Sequence, residues 1–127
     1  MSTLDSTYSE SGDAQGGFST KVDMGTLRVK AWGFWPKAVA EQFGPAVYTA
    51  CHTPGVKRVE FDMTLLKPMR DEGQEGFGRV MSALAELPVS GVVVTTSSHL
   101  TKLQLLRITS EKAPKNVVRF VETTESA

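Results

Sequence analysis

The chain has 127 residues, enough for one domain with a core of its own and little left for a second. Fourteen basic and fourteen acidic residues cancel, which argues against a global field steering the protein to nucleic acid or anionic lipid. Cys51 is the single cysteine, so an internal disulfide and any multi-cysteine metal site are excluded.

Met1 to Gly17 is rich in Ser, Thr, Gly and Asp, with only Leu4 and Tyr8 as large apolar groups. That is too little apolar surface to offset the entropy of ordering, and the segment is expected to be a disordered tail. It lacks the basic start and apolar run of a secretory leader, and no stretch approaches the roughly 20 apolar residues of a membrane span. A soluble, cytoplasmic protein without stable membrane insertion is therefore expected.

From Phe18 strict alternation begins: Phe18, Thr20, Val22 and Met24 fall on one side, Ser19, Lys21 and Asp23 on the other. Leu27, Val29 and Ala31 alternate in the same way, and a two-residue loop at Gly25-Thr26 predicts an antiparallel hairpin. After Trp32-Gly33-Phe34-Trp35-Pro36, the spacing of Val39, Phe43, Ala46, Val47 and Ala50 predicts a helix. Gly44-Pro45 inside it predicts a kink or a break into two short helices.

Val56 to Asp62 reads as the third strand. A helix starting near Met69 to Asp71 follows, with Phe77, Val80, Met81, Leu84 and Leu87 as its apolar stripe and Pro88 as its stop. Gly91 to Thr95 is short and apolar, which suits a central strand covered on both faces. Thr96-Ser97-Ser98 offers N-caps for a helix through Leu100, Leu103, Leu106 and Ile108 to about Lys112, closed by Pro114. Asn116 to Val121 is the last strand, and 123–127 a polar tail. The fold class is α/β: a mostly parallel, mixed sheet in the order β-β-α-β-α-β-α-β, with an N-terminal hairpin and helices packed on it, over residues 18–122.

Few chemical motifs stand out. Gly73, Gly76 and Gly78 lack the spacing and the following lysine of a nucleotide loop, so close helix packing is their expected use. Cys51 and His52 are adjacent and diverge, His99 is distant, and no metal-ligand spacing occurs, so neither catalysis nor a cofactor is expected. Trp32, Phe34 and Trp35 have core packing as the default, with a partner anchor as the alternative.

Asp62-Met63-Thr64 at the end of the third strand, with Gly73 at the start of the next helix, resembles the STAS domain. That family comprises anti-sigma factor antagonists and their relatives in bacterial signalling and in transporter tails. The resemblance spans Phe18 to Val121 and rests on element order more than on identity. It departs where Asp71 stands at the position of the phosphorylated serine or threonine, and where Arg70 replaces the acid before it. The usual phospho-switch is therefore not expected there, and Asp71 at a helix start carries part of a phosphate's charge. As ordinary first-turn acids, Asp71 and Glu72 need no such role.

The resemblance implies a non-enzymatic regulatory protein–protein interaction module in bacterial signalling. Its expected docking residues are Met63, Thr64, Lys67, Met69, Arg70, Asp71, Glu72 and Gly73, with Ser97, Ser98, His99 and Lys102 on the neighbouring edge. Thr64 and Ser98 are candidate phosphorylation sites, although capping alone explains Ser97 and Ser98. The expected partner is an anti-sigma-type kinase, another STAS chain or a signalling assembly, and a homo-oligomer is among the expected assemblies. The alternative is a STAS-like carrier of a small ligand, a nucleotide or a lipid, held at the same edge.

Overall fold

Antiparallel pairing starts earlier in the chain than its composition predicts. The computed structural model describes residues 7–86, 89–112 and 118–122. Within them Thr7–Asp13 forms β1, paired along its length with β2 (Gly16–Asp23) from Thr7↔Val22 to Asp13↔Gly16. The expectation of a disordered tail is thus corrected from Thr7 onward; residues 1–6 and 123–127 lie outside the described residues. An edge strand draws on ladder hydrogen bonds and a turn, so it does not need apolar side chains. Here Asp13 Oδ1 accepts from the Gln15 amide at 2.9 Å, and the hydroxyls of Ser9 and Thr20 share a hydrogen bond of 2.9 Å.

The next hairpin joins β2 to β3 (Thr26–Gly33), and its turn is Met24-Gly25, one residue before the expected loop. Met24 and Gly25 have φ of 51° and 82°, the two positive values of the hairpin turn whose twist matches its strands. Met24 accepts that conformation on a side chain 94% exposed.

Three helices and three further strands follow: α1 (Lys37–Cys51), β4 (Arg58–Leu66), α2 (Asp71–Ala85), β5 (Gly91–Thr96), α3 (His99–Lys112) and β6 (Val118–Glu122). The six strands lie side by side in chain order, antiparallel from β1 to β3 and parallel from β3 to β6. The result is an α/β fold with a mixed sheet and one strand more than expected. Helix α1 runs through Pro45 as a single helix, where a kink or break was expected. The carbonyl that Pro45 deprives of its donor belongs to exposed Glu41, where water can replace the bond.

One parity of strand residues (Leu27, Val29, Val59, Phe61, Val92, Val94) joins all three helices in a single core. In β3, β4 as far as Asp62, and β5 the opposite parity is exposed or half-buried, so the helices cover one face of the sheet there. Strand β5 is a correction in this respect: Val93 and Thr95 are half-buried on the open face, not covered on both sides. Charge pairs occupy that face, as between Arg28 Nε and Glu60 Oε1 at 3.3 Å.

An aromatic chain links the core. Trp35 lies 4.9 Å from Phe43 and 5.9 Å from Phe18 between ring centroids, and Phe77 is 5.7 Å from Phe61. Such pairs contribute about 0.5–1.5 kcal/mol each beyond burial. Trp35 is buried with its Nε1 donating to the Gly17 carbonyl at 2.9 Å, while Phe34 is exposed. Helices α1 and α2 meet at Gly44 and Gly76, where a Cβ on Gly76 would stand 3.3 Å from the Ala40 carbonyl oxygen. Close packing is therefore what Gly76 does.

Helix α3 departs from its expected stripe. Leu105 and Ile108 point inward together with Thr101 and Thr109, whereas Leu100 is 58% and Leu103 49% exposed. Strand β6 is described from Val118; Leu87, Pro88, Pro114, Asn116 and Val117, which the sequence reading used, lie outside the described residues. Among the described residues no helix is long and apolar enough to cross a membrane.

Candidate functional site

The carboxyl ends of β4 and β5 and the starts of α2 and α3 meet along one edge of the sheet. Strand β4 runs four residues past its expected end, and its pairing with β3 slips there. Two steps along β3, Lys30 to Trp32, match three along β4, Asp62 to Leu65, so β4 carries one extra residue. A bulge of this kind re-aims side chains. Met63 and Leu66 are both buried as a result, and Leu65 turns out to 61% exposure.

Asp62 and Thr64 close a small ring at the bulge. Asp62 Oδ1 accepts from the Thr64 hydroxyl at 2.7 Å and from the Thr64 amide at 3.1 Å. The Ser97 hydroxyl donates to the Thr64 carbonyl at 2.5 Å, fastening the end of β5 to that of β4. The loop after β4 is pinned from three sides. Lys67 N–H donates to the Gly33 carbonyl at 3.0 Å, and Gln104 of α3 brackets Met69, accepting from its amide at 2.9 Å and donating to its carbonyl at 3.2 Å. Gln74 of α2 donates to the same Met69 carbonyl at 3.0 Å.

Of the expected docking residues, Lys67, Arg70, Asp71, Ser97 and His99 are exposed, and Thr64, Glu72, Ser98 and Lys102 are half-buried. Three are corrections. Met63 is fully buried because β4 continues through it on the helix-covered side, Met69 is tucked under the loop, and Gly73 is buried against the Met69 side chain. These three support the edge and do not present a surface to a partner. Asp71 opens α2, whose N-cap, Arg70, provides no side-chain hydrogen bond.

The two candidate phosphorylation sites differ in their surroundings. A phosphate on Thr64 would replace the hydroxyl that donates to Asp62 and set two like charges together. Ser98 Oγ accepts from the Thr101 amide at 3.3 Å at the start of α3, where the helix dipole favours an anion.

Several residues at this edge were not expected. A concavity of about 300 Å³ is bounded by Gln15, Gly16, Phe34, Pro36 and Arg70. It exists because the β1–β2 turn folds against the segment after β3, with Phe34 N–H donating to the Gln15 carbonyl at 3.0 Å. Gly33 adopts φ of 73° there, and a Cβ on it would overlap the Gln15 carbonyl. The available signal was Asp13-Ala14-Gln15-Gly16, aspartate first and glycine fourth, the preference of the commonest four-residue turn. Leu65, Leu100 and Leu103 add exposed apolar groups beside the charged ones.

Cys51 and His52 lie at the end of α1, which returns the chain to the amino end of the parallel strands, opposite this edge. Burial pushes the Cys51 thiol up to about 11, which disfavours the thiolate at neutral pH. His52 Nδ1 is engaged with the Tyr48 carbonyl at 2.8 Å. Among the described residues no group of three His, Cys, Asp or Glu side chains could hold a metal ion. No model of a known protein family and no curated protein matches the chain.

Proposed function

We propose that the chain is a non-enzymatic regulatory protein–protein interaction module, STAS-like and of the anti-sigma antagonist type, that docks its partner through the carboxyl edge of the sheet. The observation that carries this reading is the pinned Lys67–Asp71 loop. It holds Lys67, Arg70 and Asp71 in the open on a backbone fastened by Gly33, Gln74 and Gln104. A surface already ordered binds without the cost of ordering it. Opposite charges set register and suppress wrong partners, and exposed Leu100 and Leu103 supply apolar area to bury.

In the STAS frame Asp71 takes the phosphoacceptor position, so the surface carries a fixed charge and the usual serine switch does not operate. The protonated thiol of Cys51 supports a non-catalytic role for that residue. The partner is then an anti-sigma-type kinase, another STAS chain or a component of a bacterial signalling assembly in the cytoplasm. Affinity capture with the wild-type chain and with Asp71→Lys and Arg70→Glu tests the reading. A partner held by the wild type and released by both variants is expected; unchanged binding of a verified partner would put the interface elsewhere.

The alternative, a small-ligand carrier, is favoured by the concavity beside Arg70, which is large enough for a small molecule. A ligand that binds only the native state raises its apparent stability. A thermal-shift series with nucleotides, fatty acids and phospholipids at saturating concentration tests it: a response lost on Arg70→Glu supports the alternative, and no response to any of them, or one unchanged by Arg70→Glu, removes it.

A further inference from the structure

Helices α2 and α3 leave a cavity of about 460 Å³ between them, lined by Gln74, Glu75, Gly78, Arg79, Ser82, Arg107 and Ile108. That volume is in the range of sites that hold small organic ligands. Two guanidinium groups and a hydroxyl face it against one carboxylate, so the lining carries a net positive charge. Gly78 adds no side chain, and Ile108, almost fully buried, offers an apolar floor. Arg79 Nη2 donates to Glu75 Oε2 at 3.2 Å, whereas Arg107 Nη2 donates to a neutral acceptor, Gln74 Oε1, at 2.7 Å. A guanidinium has five N–H donors in a planar fork, so a single bond leaves others to grip an anion.

We propose that this cleft binds a small organic phosphate, with the phosphoryl group between Arg79 and Arg107 and the rest of the molecule over Gly78 and Ile108. A phosphate monoester carries close to two negative charges at neutral pH and three acceptor oxygens, which suits two guanidiniums better than one carboxylate does. Glu75 competes for Arg79, so the native site is tuned below its full strength. The guanidiniums are solvent-exposed, and binding is therefore salt-dependent. Neither Asp71 nor Ser97 lines the cleft, so the proposal stands whether or not the sheet edge docks a partner.

The test is a titration of the full chain with adenosine monophosphate, followed by backbone amide NMR, with inorganic phosphate and sodium chloride at matched ionic strength as separate arms. Saturable shifts are expected in residues 74–82 and 104–108, with inorganic phosphate shifting the same amides more weakly and chloride not reproducing them. Arg107→Gln and Arg79→Gln should each weaken binding about tenfold, the effect of losing one charge-assisted hydrogen bond. Glu75→Gln should tighten it several-fold by releasing Arg79, an outcome that damage to the fold would not produce. Non-saturating shifts, shifts matched by chloride, or saturation confined to other residues would overturn the proposal. Weaker binding by Glu75→Gln would do the same. Equal affinity for inorganic phosphate would overturn the part assigned to Gly78 and Ile108.

Discussion

Helices α2 and α3 hold equivalent places in the fold, each carrying the chain from one parallel strand to the next, yet they dispose of their apolar residues differently. In α2, Phe77, Val80, Met81 and Leu84 are all buried. In α3, Thr101 and Thr109 share the inner face with Leu105 and Ile108, and Leu100 and Leu103 stand in solvent. Helix α2 packs against α1 on one side and α3 on the other, so these four residues all find cover. Helix α3 has close helix packing on one side only among the described residues, and two of its four buried positions are taken by threonines. Burial here follows the number of neighbours and not periodicity alone.

The largest effect should come from the covered helix. Phe77→Ala removes a ring fully buried against Phe61 and Phe43, and is expected to cost about 3–5 kcal/mol in chemical denaturation. Next, Gly76→Val forces side-chain volume into the contact with Ala40 and should cost about 1–3 kcal/mol, since both sides of that contact are helix backbone. If Gly76→Val were neutral, α2 would not be held as closely as its central place requires.

Within α3 a matched pair of substitutions sharpens the contrast. The Thr101 hydroxyl donates to the Leu66 carbonyl, at 3.4 Å, and Thr101→Val should destabilise by about 1 kcal/mol through the lost bond. Thr109 is equally inward, but its hydroxyl has no hydrogen-bond partner among the described residues. Thr109→Val should therefore be neutral or stabilising by up to about 1 kcal/mol. The same exchange on one helix, eight positions apart, is expected to differ in sign, and equal losses at both sites would show that Thr109 has found a partner.

The same distinction explains what was legible in the sequence. Where a residue's burial decides its place, alternation and helical spacing sufficed: β2, β3, α1 and α2 lie near their expected positions. Strand β1 was missed because its pairing depends on backbone bonds and on the Asp13 turn, which hydrophobic content does not record. Stopping β4 at Asp62 made Met63 look like a loop residue, whereas the bulge buries Met63 and Leu66 and exposes Leu65. The edge where the ends of β4 and β5 meet the starts of α2 and α3 was legible in outline, since strand ends and helix starts follow from element order. Three of its residues were misplaced: Met63 because β4 continues through the bulge, and Met69 and Gly73 because they pack on each other under the loop. The concavity under Phe34 needed three segments remote in sequence, of which only the Asp13–Gly16 turn had a local signature.

The smallest stability effect should come from the leucines that α3 leaves outside. Leu100→Gln and Leu103→Gln keep residues of good helix propensity and remove apolar groups about half exposed already, so each is expected to change stability by no more than about 0.5 kcal/mol. Their effect belongs instead to the interface. If the edge docks a protein, the double variant should lose affinity at least about tenfold, because buried apolar anchors dominate binding while near-neutral contacts surround them. Chemical denaturation and affinity capture on the same preparation separate the two quantities. A loss of stability approaching that of Phe77→Ala would mean that the leucines are covered within the molecule, and α3 would then obey the same rule as α2. Unchanged stability with unchanged capture would leave the exposed stripe outside the interface, and confine docking to the charged loop from Lys67 to Asp71.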